Sequence, residues 1–168
     1  MALIQIVENK KKSLGIYVHI PFCRSKCEYC DFYSIPGARS RDLMDRYLDA
    51  VILHIREAAQ GAAGYEVDTV YFGGGTPALA ADRLGEIIGA IKEHFVITEG
   101  IGVELHPDNV TPDVLRTLKT AGVTKISIGI QSFQTKFQSV LGRTSVDISA
   151  MKQALSEVPF ETVSMDFI

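Results

Sequence analysis

Three cysteines in one short stretch are the residues best suited to chemistry in this sequence. Cys23, Cys27 and Cys30 are spaced Cys-x3-Cys-x2-Cys, and the 168 residues contain no other cysteine. Closely spaced thiolates of this kind bind iron–sulfur clusters, so the three can hold three corners of a 4Fe–4S cube. Within this chain the fourth iron would stay open, and an open coordination position lets a metal bind a further ligand.

Two other interpretations of the cysteines remain open from spacing alone. The first is a zinc site, which would need a fourth Cys or His ligand. His19 is near in sequence, but it lies within a predicted strand rather than on the cysteine loop. The second is a set of incidental buried thiols. The ligand number and spacing favour the cluster over both.

Composition restricts the setting in which these cysteines act. An odd number of cysteines within eight residues is a poor disulfide framework, and the N-terminus lacks the pattern of a secretory signal. No apolar run approaches the roughly 18 residues of a membrane helix. We therefore expect a reducing, cytoplasmic location and no transmembrane segment. The net charge of -3 argues against a nucleic-acid partner, which would require a basic face.

The elements that must position the cysteines alternate between strand and helix patterns. Strands are predicted at residues 15–20, 67–72, 101–105, 125–130 and 162–168. Amphipathic helices are predicted between them: after a Ser40 N-cap, over 84–95, from a Thr111 cap, and over 134–141 and 147–157. Such alternation predicts an α/β fold with five parallel strands, either a (β/α) barrel or a doubly wound sheet.

Unusual polar features follow or end each predicted strand. The cysteine loop follows the first strand and the glycine run at 73–75 follows the second. Glu104, Gln131 and Asp166 lie at or near the ends of the other three. Both candidate folds place their chemistry at the carboxyl ends of the strands. The sequence therefore predicts that all these residues share one rim.

Four motifs carry a resemblance to a known family. They are YVHIPFCRSKCEYC at 17–30, GGGTP at 73–77, IGIQSF at 128–133 and LGR at 141–143. Together they resemble the radical S-adenosylmethionine (SAM) superfamily and, more narrowly, the anaerobic coproporphyrinogen III oxidase family. The resemblance implies a partial TIM-type (β/α) barrel, with a lead-in over 1–14 and a core domain over 15–168. We expect the chain to end before the barrel is complete.

One departure separates two branches of this family. The oxidase proper has a further cysteine two residues after the third cluster ligand, whereas Cys30 is followed here by Asp31 and Phe32. The sequence CDFYS resembles the HemW-like branch, whose members are haem chaperones. The resemblance therefore implies haem binding and delivery to an acceptor protein. The alternative is an oxygen-independent coproporphyrinogen III oxidase (dehydrogenase) of porphyrin biosynthesis, a radical SAM oxidoreductase.

The resemblance also implies cofactors and their contacts. Cys23, Cys27 and Cys30 would hold the 4Fe–4S cluster, whose open iron chelates SAM, and an electron donor protein would reduce it. Contacts to the cofactors would come from nine residues, among which Tyr29 would shield the cluster beside Cys30: Tyr17, Tyr29, Gly74, Gly75, Thr76, Glu104, Gln131, Arg143 and Asp166. In the oxidase, the positions of Gln131, Arg143 and Asp166 line a second SAM site.

Each implied contact has a simpler structural alternative. The glycine run could be a tight turn without a ligand, and Glu104 could form a salt bridge at the rim. Arg143 could be an ordinary arginine at a helix end, and the two tyrosines could serve only for packing. Asp166 alternates with Met165 and Phe167, so it should point to the opposite face, where an acid needs a polar partner.

Overall fold

A computed structural model describes residues 12–36, 41–62, 64–143 and 146–168. Its strands are β1 (Lys12–Ile20), β2 (Phe22–Cys23), β3 (Ile35–Pro36), β4 (Tyr65–Gly74), β5 (Ile97–Leu105), β6 (Lys125–Gln131) and β7 (Thr162–Phe167). Its helices are α1 (Arg41–Gln60), α2 (Ala81–Lys92), α3 (Pro112–Thr120), α4 (Thr135–Val140) and α5 (Ile148–Glu157). Short 3-10 turns cover Pro77–Ala80 and Pro107–Asn109.

One open sheet organises the described residues. Its strands run β1-β4-β5-β6-β7, and every neighbouring pair is parallel. A doubly wound sheet reverses its strand order at a switch point, whereas a (β/α) barrel adds strands in chain order. The consecutive order therefore selects the barrel type, and the predicted α/β class with five parallel strands is confirmed.

The two faces of the sheet have different chemistry because side chains alternate along a strand. One face carries apolar residues such as Phe72, Val103 and Ile128, which are buried beneath the helices. The helices contribute Leu48, Leu84, Leu115 and others to this core. The opposite, inner face carries polar groups, among them Tyr71, Glu104 and Ser127.

The helix cap predicted at Thr111 is confirmed, and the structure shows a second cap at Asp147. The Thr111 hydroxyl accepts a hydrogen bond from the Val114 amide at 3.4 Å, and the Asp147 carboxylate accepts one from the Ala150 amide at 2.9 Å. Gly122 follows α3 with a φ of 96°, a conformation in which glycine avoids the cost of a Cβ. The predicted Ser40 cap lies outside the described residues.

Several predicted boundaries differ from those of the structure. β1 begins at Lys12 because residues 12–14 pair with 65–67 of β4, so these three belong to the sheet rather than to the predicted lead-in. The remainder of the lead-in lies outside the described residues. β5 begins at Ile97, four residues early, since the polar stretch before Ile101 hides the strand pattern. α2 ends at Lys92, so Phe95 lies beyond it.

The described residues contain no helix with the length and apolar content needed to cross a bilayer.

We predict that Leu48→Ala destabilises the protein by about 2–5 kcal/mol, because it leaves a cavity between α1 and the sheet. Leu48 is fully buried, whereas Leu53 on the same helix is 60% exposed. Leu53→Ala is therefore the matched control and should cost less than about 0.5 kcal/mol. Urea denaturation measures both. Equal losses would contradict the assigned core face of α1.

Candidate active site

A cavity of about 460 Å³ opens at the carboxyl ends of the strands. It is lined by the cysteine loop, the glycine turn after β4, and the ends of β5, β6 and β7. Eleven of the twelve residues singled out from the sequence line it: Cys23, Cys27, Tyr29, Cys30, Gly74, Gly75, Thr76, Glu104, Gln131, Arg143 and Asp166. The predicted shared rim is therefore a single concave site.

The cysteine loop is held in shape by main-chain contacts. β2 contains Cys23 and pairs with β3, while the Cys30 amide donates to the Cys27 carbonyl at 3.2 Å. The Lys26 ammonium donates to the Phe32 carbonyl at 2.8 Å. All three thiols are free and partly exposed. Across the described ranges, no three His, Cys, Asp or Glu side chains are arranged to hold one metal ion.

The glycine turn packs directly against the cysteine loop. A Cβ on Gly75 would lie 2.6 Å from the Phe22 carbonyl oxygen and 3.0 Å from the Cys23 sulfur, so only glycine fits there. The Thr76 amide donates to the same Phe22 carbonyl at 2.7 Å. The Thr76 hydroxyl lies 3.7 Å from the Cys23 sulfur and donates to it. The turn is therefore part of the cysteine site.

Glu104 is tied to the same turn. The Gly74 amide donates to Glu104 Oε2 at 3.2 Å. Burial raises the pKa of Glu104, although the Gly74 amide and Tyr71 act in the opposite direction. Glu104 forms no ion pair with any described residue, so the rim salt bridge does not account for it.

Arg143 is held inside the site rather than on a helix surface. Its two terminal nitrogens donate to the Gly129 carbonyl at 2.8 Å and to the Tyr29 hydroxyl at 2.5 Å. Its guanidinium also lies 5.7 Å from the centre of the Tyr29 ring. The Nε atom is buried and has no partner among the described residues. The Nε–H of Arg143 is therefore a buried donor that a ligand could satisfy.

The segment that contains Arg143 also clamps the cysteine loop. The Glu28 amide donates to the Leu141 carbonyl at 3.3 Å. A Cβ on Gly142 would approach the Glu28 amide nitrogen to 3.4 Å, so the two backbones are in contact. Together with the Arg143–Tyr29 bond, these contacts fix the loop from the far side of the cavity.

The ends of β6 and β7 contribute two of the predicted polar residues. As expected from alternation, Asp166 has a polar partner, because the Ser127 hydroxyl donates to its Oδ2 at 2.8 Å. Gln131 has a φ of 65°, which is unusual for a residue other than glycine. Such conformations cluster at functional sites, where the surrounding structure supports their cost.

Tyr17 alone among the predicted residues lies beside the cavity rather than in its wall. Its ring contacts the Gly73 backbone and stacks on Tyr71 with centroids 6.5 Å apart. Its hydroxyl lies 3.2 Å from His19 Nδ1, and His19 Nε2 contacts the Tyr33 carbonyl at 3.0 Å. These contacts line the inner face of β1 next to the glycine turn.

Among the residues in or beside the site that were not found from the sequence are Tyr71, Ser127 and His106. Tyr71 and Ser127 lie in the middle of strands. The sequence prediction considered only polar residues at the ends of strands and therefore did not include them. Side chains two residues apart on a strand point to the same face, so the alternation along β4 places Tyr71 on the same face as Gly73 of the glycine turn. His106 Nδ1 accepts from the Asp108 amide at 3.2 Å and caps the turn that follows β5.

Comparison with known proteins identifies the family. The radical SAM superfamily profile matches residues 17–160, so the chain belongs to this superfamily. Membership confirms the resemblance read from the motifs and implies a 4Fe–4S cluster and SAM as cofactors.

Individual relatives fall in the two expected branches. The heme chaperone HemW of Mycobacterium tuberculosis is 33% identical over 161 residues, which are 92% of this chain and 41% of that protein. The oxygen-independent coproporphyrinogen III oxidase of Salmonella typhimurium is 31% identical and covers 99% of this chain and 38% of that protein.

A solved structure supports the fold independently. The coproporphyrinogen III oxidase HemN of Escherichia coli, described as a radical SAM enzyme, superposes with a TM-score of 0.83 at 29% identity. The match covers 96% of this chain and 38% of that structure. The chain therefore spans about two fifths of the length of these relatives.

We predict that stability falls as the pH drops from about 6.5 to about 4. Burial, followed by the charge of Arg143, lowers the pKa of His106 from 6.5 to about 4. In this window the unfolded chain binds a proton that the folded chain excludes, so acid favours unfolding. In His106→Asn the amide oxygen can still cap the turn, but the titration is lost. Urea midpoints across this range should therefore vary less in the variant, and identical profiles would contradict the assignment.

Proposed function

We propose that this chain forms the cluster- and SAM-binding part of a HemW-like haem chaperone. In this proposal, Cys23, Cys27 and Cys30 each bind one iron of a 4Fe–4S cluster, and the fourth iron binds SAM. The observation that carries the proposal is the packing of the glycine turn against Cys23, inside a cavity lined by all three thiols. The free thiols also suit a reducing cytoplasm.

The donor set fits a cluster. Three thiols approach one cavity from a loop fixed at both ends, and iron–sulfur clusters are held by cysteine thiolates. A cube distributes its protein ligands over separate irons, so the three sulfurs need not converge on one point. The Thr76 hydroxyl supports Cys23 with a hydrogen bond to sulfur, a contact that tunes cluster potential.

The remaining lining residues fit a zwitterionic sulfonium ligand. The carboxylates of Glu104 and Asp166 supply negative charge for the ammonium and sulfonium groups, and Glu104 can accept from ribose hydroxyls. The free Nε–H of Arg143 can donate to a carboxylate. When bound, the cluster supplies the electron that cleaves the SAM sulfonium. The chain itself orients SAM and shields it from water.

The chaperone branch is favoured by the residue that follows Asp31. Phe32 occupies the position at which the oxidase has a further cysteine, and its side chain is 66% exposed beside the cluster loop. Relatives named heme chaperone HemW from Mycobacterium tuberculosis, Lactococcus lactis and Synechocystis are 31–34% identical to the chain. In this role its partners are haem, an electron donor protein and a haem-acceptor protein.

Oxygen-independent coproporphyrinogen III oxidase is the second candidate. The specific observation in its favour is the close superposition on the oxidase HemN, together with 31% identity to the Salmonella typhimurium oxidase. In this role the chain would contribute to a radical SAM oxidoreductase acting on a tetrapyrrole precursor.

Anaerobic reconstitution tests the cluster. We expect a brown protein with about four irons per chain, as a 4Fe–4S cluster requires. Single alanine variants of Cys23, Cys27 and Cys30 should each lose most of this iron. Gly75→Ala should also lose iron because its Cβ would displace Phe22 and Cys23. Gly89→Ala is the matched control, since nothing lies within 4 Å of that Cβ, and it should bind iron normally.

Normal iron content in Gly75→Ala would contradict the inference that the packing of the glycine turn against Cys23 supports the cluster. A colourless protein that binds one zinc and no iron would overturn the proposed cluster itself.

An anaerobic assay pair separates the two functions. The reconstituted protein is given haem and an apo-haemoprotein acceptor, and haem transfer is followed by absorbance. In parallel it is given coproporphyrinogen, SAM and a reductant, and products are analysed. We expect haem transfer without protoporphyrinogen formation, and slower transfer by Cys27→Ala. Formation of protoporphyrinogen would replace the chaperone with the oxidase.

A further inference from the structure

Two hydrogen bonds run in line from the main chain after the cysteines, through His19, to the hydroxyl of Tyr17. His19 Nε2 lies 3.0 Å from the Tyr33 carbonyl oxygen, and His19 Nδ1 lies 3.2 Å from the Tyr17 hydroxyl oxygen. Both ring nitrogens therefore have partners. The proposed contacts to the cluster and to SAM give His19 no role.

The Tyr33 carbonyl decides which nitrogen of His19 carries the proton. A carbonyl oxygen can only accept a hydrogen bond, so Nε2 must donate to it. In a neutral imidazole the other ring nitrogen then has no proton and can only accept. The Tyr17 hydroxyl must therefore donate to Nδ1, because this contact would otherwise contain no proton.

The imidazole is held in place by its surroundings as well as by these two bonds. It packs on Gly74, where a Cβ would lie 2.5 Å from ring atom Cε1 and 2.6 Å from Nδ1. The His19 carbonyl accepts from the Tyr47 hydroxyl at 2.6 Å, which anchors the end of β1 to α1. The direction of the two hydrogen bonds is therefore a fixed property of the site.

This direction limits what the Tyr17 hydroxyl can offer to a ligand. Burial and the charge of Glu104 raise the pKa of Tyr17, so the phenol keeps its proton. Because that proton is given to His19, the Tyr17 oxygen can only accept from any further group. Tyr17 is 57% exposed and can be reached.

A second acceptor lies beside the Tyr17 oxygen. The Tyr17 hydroxyl oxygen and Glu104 Oε1 each lie 3.0 Å from the position that a Cβ on Gly73 would occupy. The other carboxylate oxygen, Oε2, already accepts from the Gly74 amide. Two acceptor oxygens therefore face the space that the missing side chain of Gly73 leaves open.

We propose that His19 is a positioning residue that fixes the Tyr17 hydroxyl as a hydrogen-bond acceptor. Tyr17 and Glu104 together then recognise a donor group of the ligand, either N–H or O–H. A carboxylate or phosphate at this place would meet two acceptors and would be disfavoured. The identity of the ligand as SAM, whose ammonium and ribose hydroxyls are such donors, rests on the proposed function, whereas the direction of the hydrogen bonds does not.

The first test determines the tautomer of His19 by nitrogen-15 NMR of the full chain without cofactors, at about pH 8, above the usual pKa of histidine. Single variants of the four histidines assign the signals. We expect a proton on Nε2 and none on Nδ1. Tyr17→Phe removes the donor to Nδ1, so it should move the Nδ1 signal and leave the proton on Nε2. Tyr65→Phe, at the far end of β4, is the matched control and should move neither signal.

A proton on Nδ1 of His19, or an Nδ1 signal that Tyr17→Phe does not move, would overturn the proposal. This test needs no variant of His19 that might fold poorly, because the signals of the other three histidines identify it by elimination.

The second test measures SAM binding to the reconstituted protein by calorimetry, with two variants of similar length. In His19→Gln the amide nitrogen can donate to the Tyr33 carbonyl and the amide oxygen can accept from Tyr17. His19→Met offers neither group, so the Tyr17 proton is free to turn to Glu104 and occupy an acceptor. We expect His19→Met to bind SAM about 3- to 10-fold more weakly than wild type at equal iron content, and His19→Gln to bind nearly as wild type.

The same two variants in a Tyr17→Phe background separate positioning from a merely structural role. If His19 acts through the phenol, the difference in SAM affinity between His19→Gln and His19→Met should vanish there. A difference that persists, or equal affinities with Tyr17 present, would overturn the proposal. Absence of SAM binding in wild type would instead overturn the proposed function, while the NMR spectra still decide the direction of the hydrogen bonds.

Discussion

The close approach of the glycine turn to the cysteine loop is the constraint on which the site depends. Gly75 lies so near Phe22 and Cys23 that even a methyl group would collide with their atoms. The Gly75 and Thr76 amides donate to the Ile20 and Phe22 carbonyls, so the contact is bonded as well as tight. Because β1 and β4 are neighbours in the sheet, their carboxyl ends deliver the thiols and the turn to the same place.

The two faces of the parallel sheet have different roles. The helix-covered face buries Phe72, Val103 and Ile128 and supplies the stability of the fold. The inner face is therefore free to carry groups that a core would exclude, such as Glu104 and Asp166. A carboxylate so placed needs donors, and amide and hydroxyl groups from adjacent strands provide them. Stability and chemistry are thus assigned to alternate residues of the same strands.

Much of this arrangement could be predicted from the sequence because it depends on local patterns. The cysteine spacing, the glycine run and the polar residue at each strand end indicated a shared rim, and the cavity contains them. What escaped prediction depends on partners that are distant in sequence. The register of β4 against β5 sets Tyr71 over Gly102, and only the assembled sheet brings Ser127 to Asp166. The start of β5 was missed because Thr98 and Glu99, which follow its first residue, are polar and exposed.

The clamp on the cysteine loop has a consequence for the order in which the protein matures. Arg143 reaches Tyr29 across 114 residues of sequence, and Leu141 accepts from the Glu28 amide. Contacts between such distant segments form late, since the entropy of closing so long a loop must first be offset by the intervening strands. During synthesis the thiols therefore emerge well before the segment that restrains them. Until β6 and its following helix have been added, the loop is held only by contacts to the strands already made.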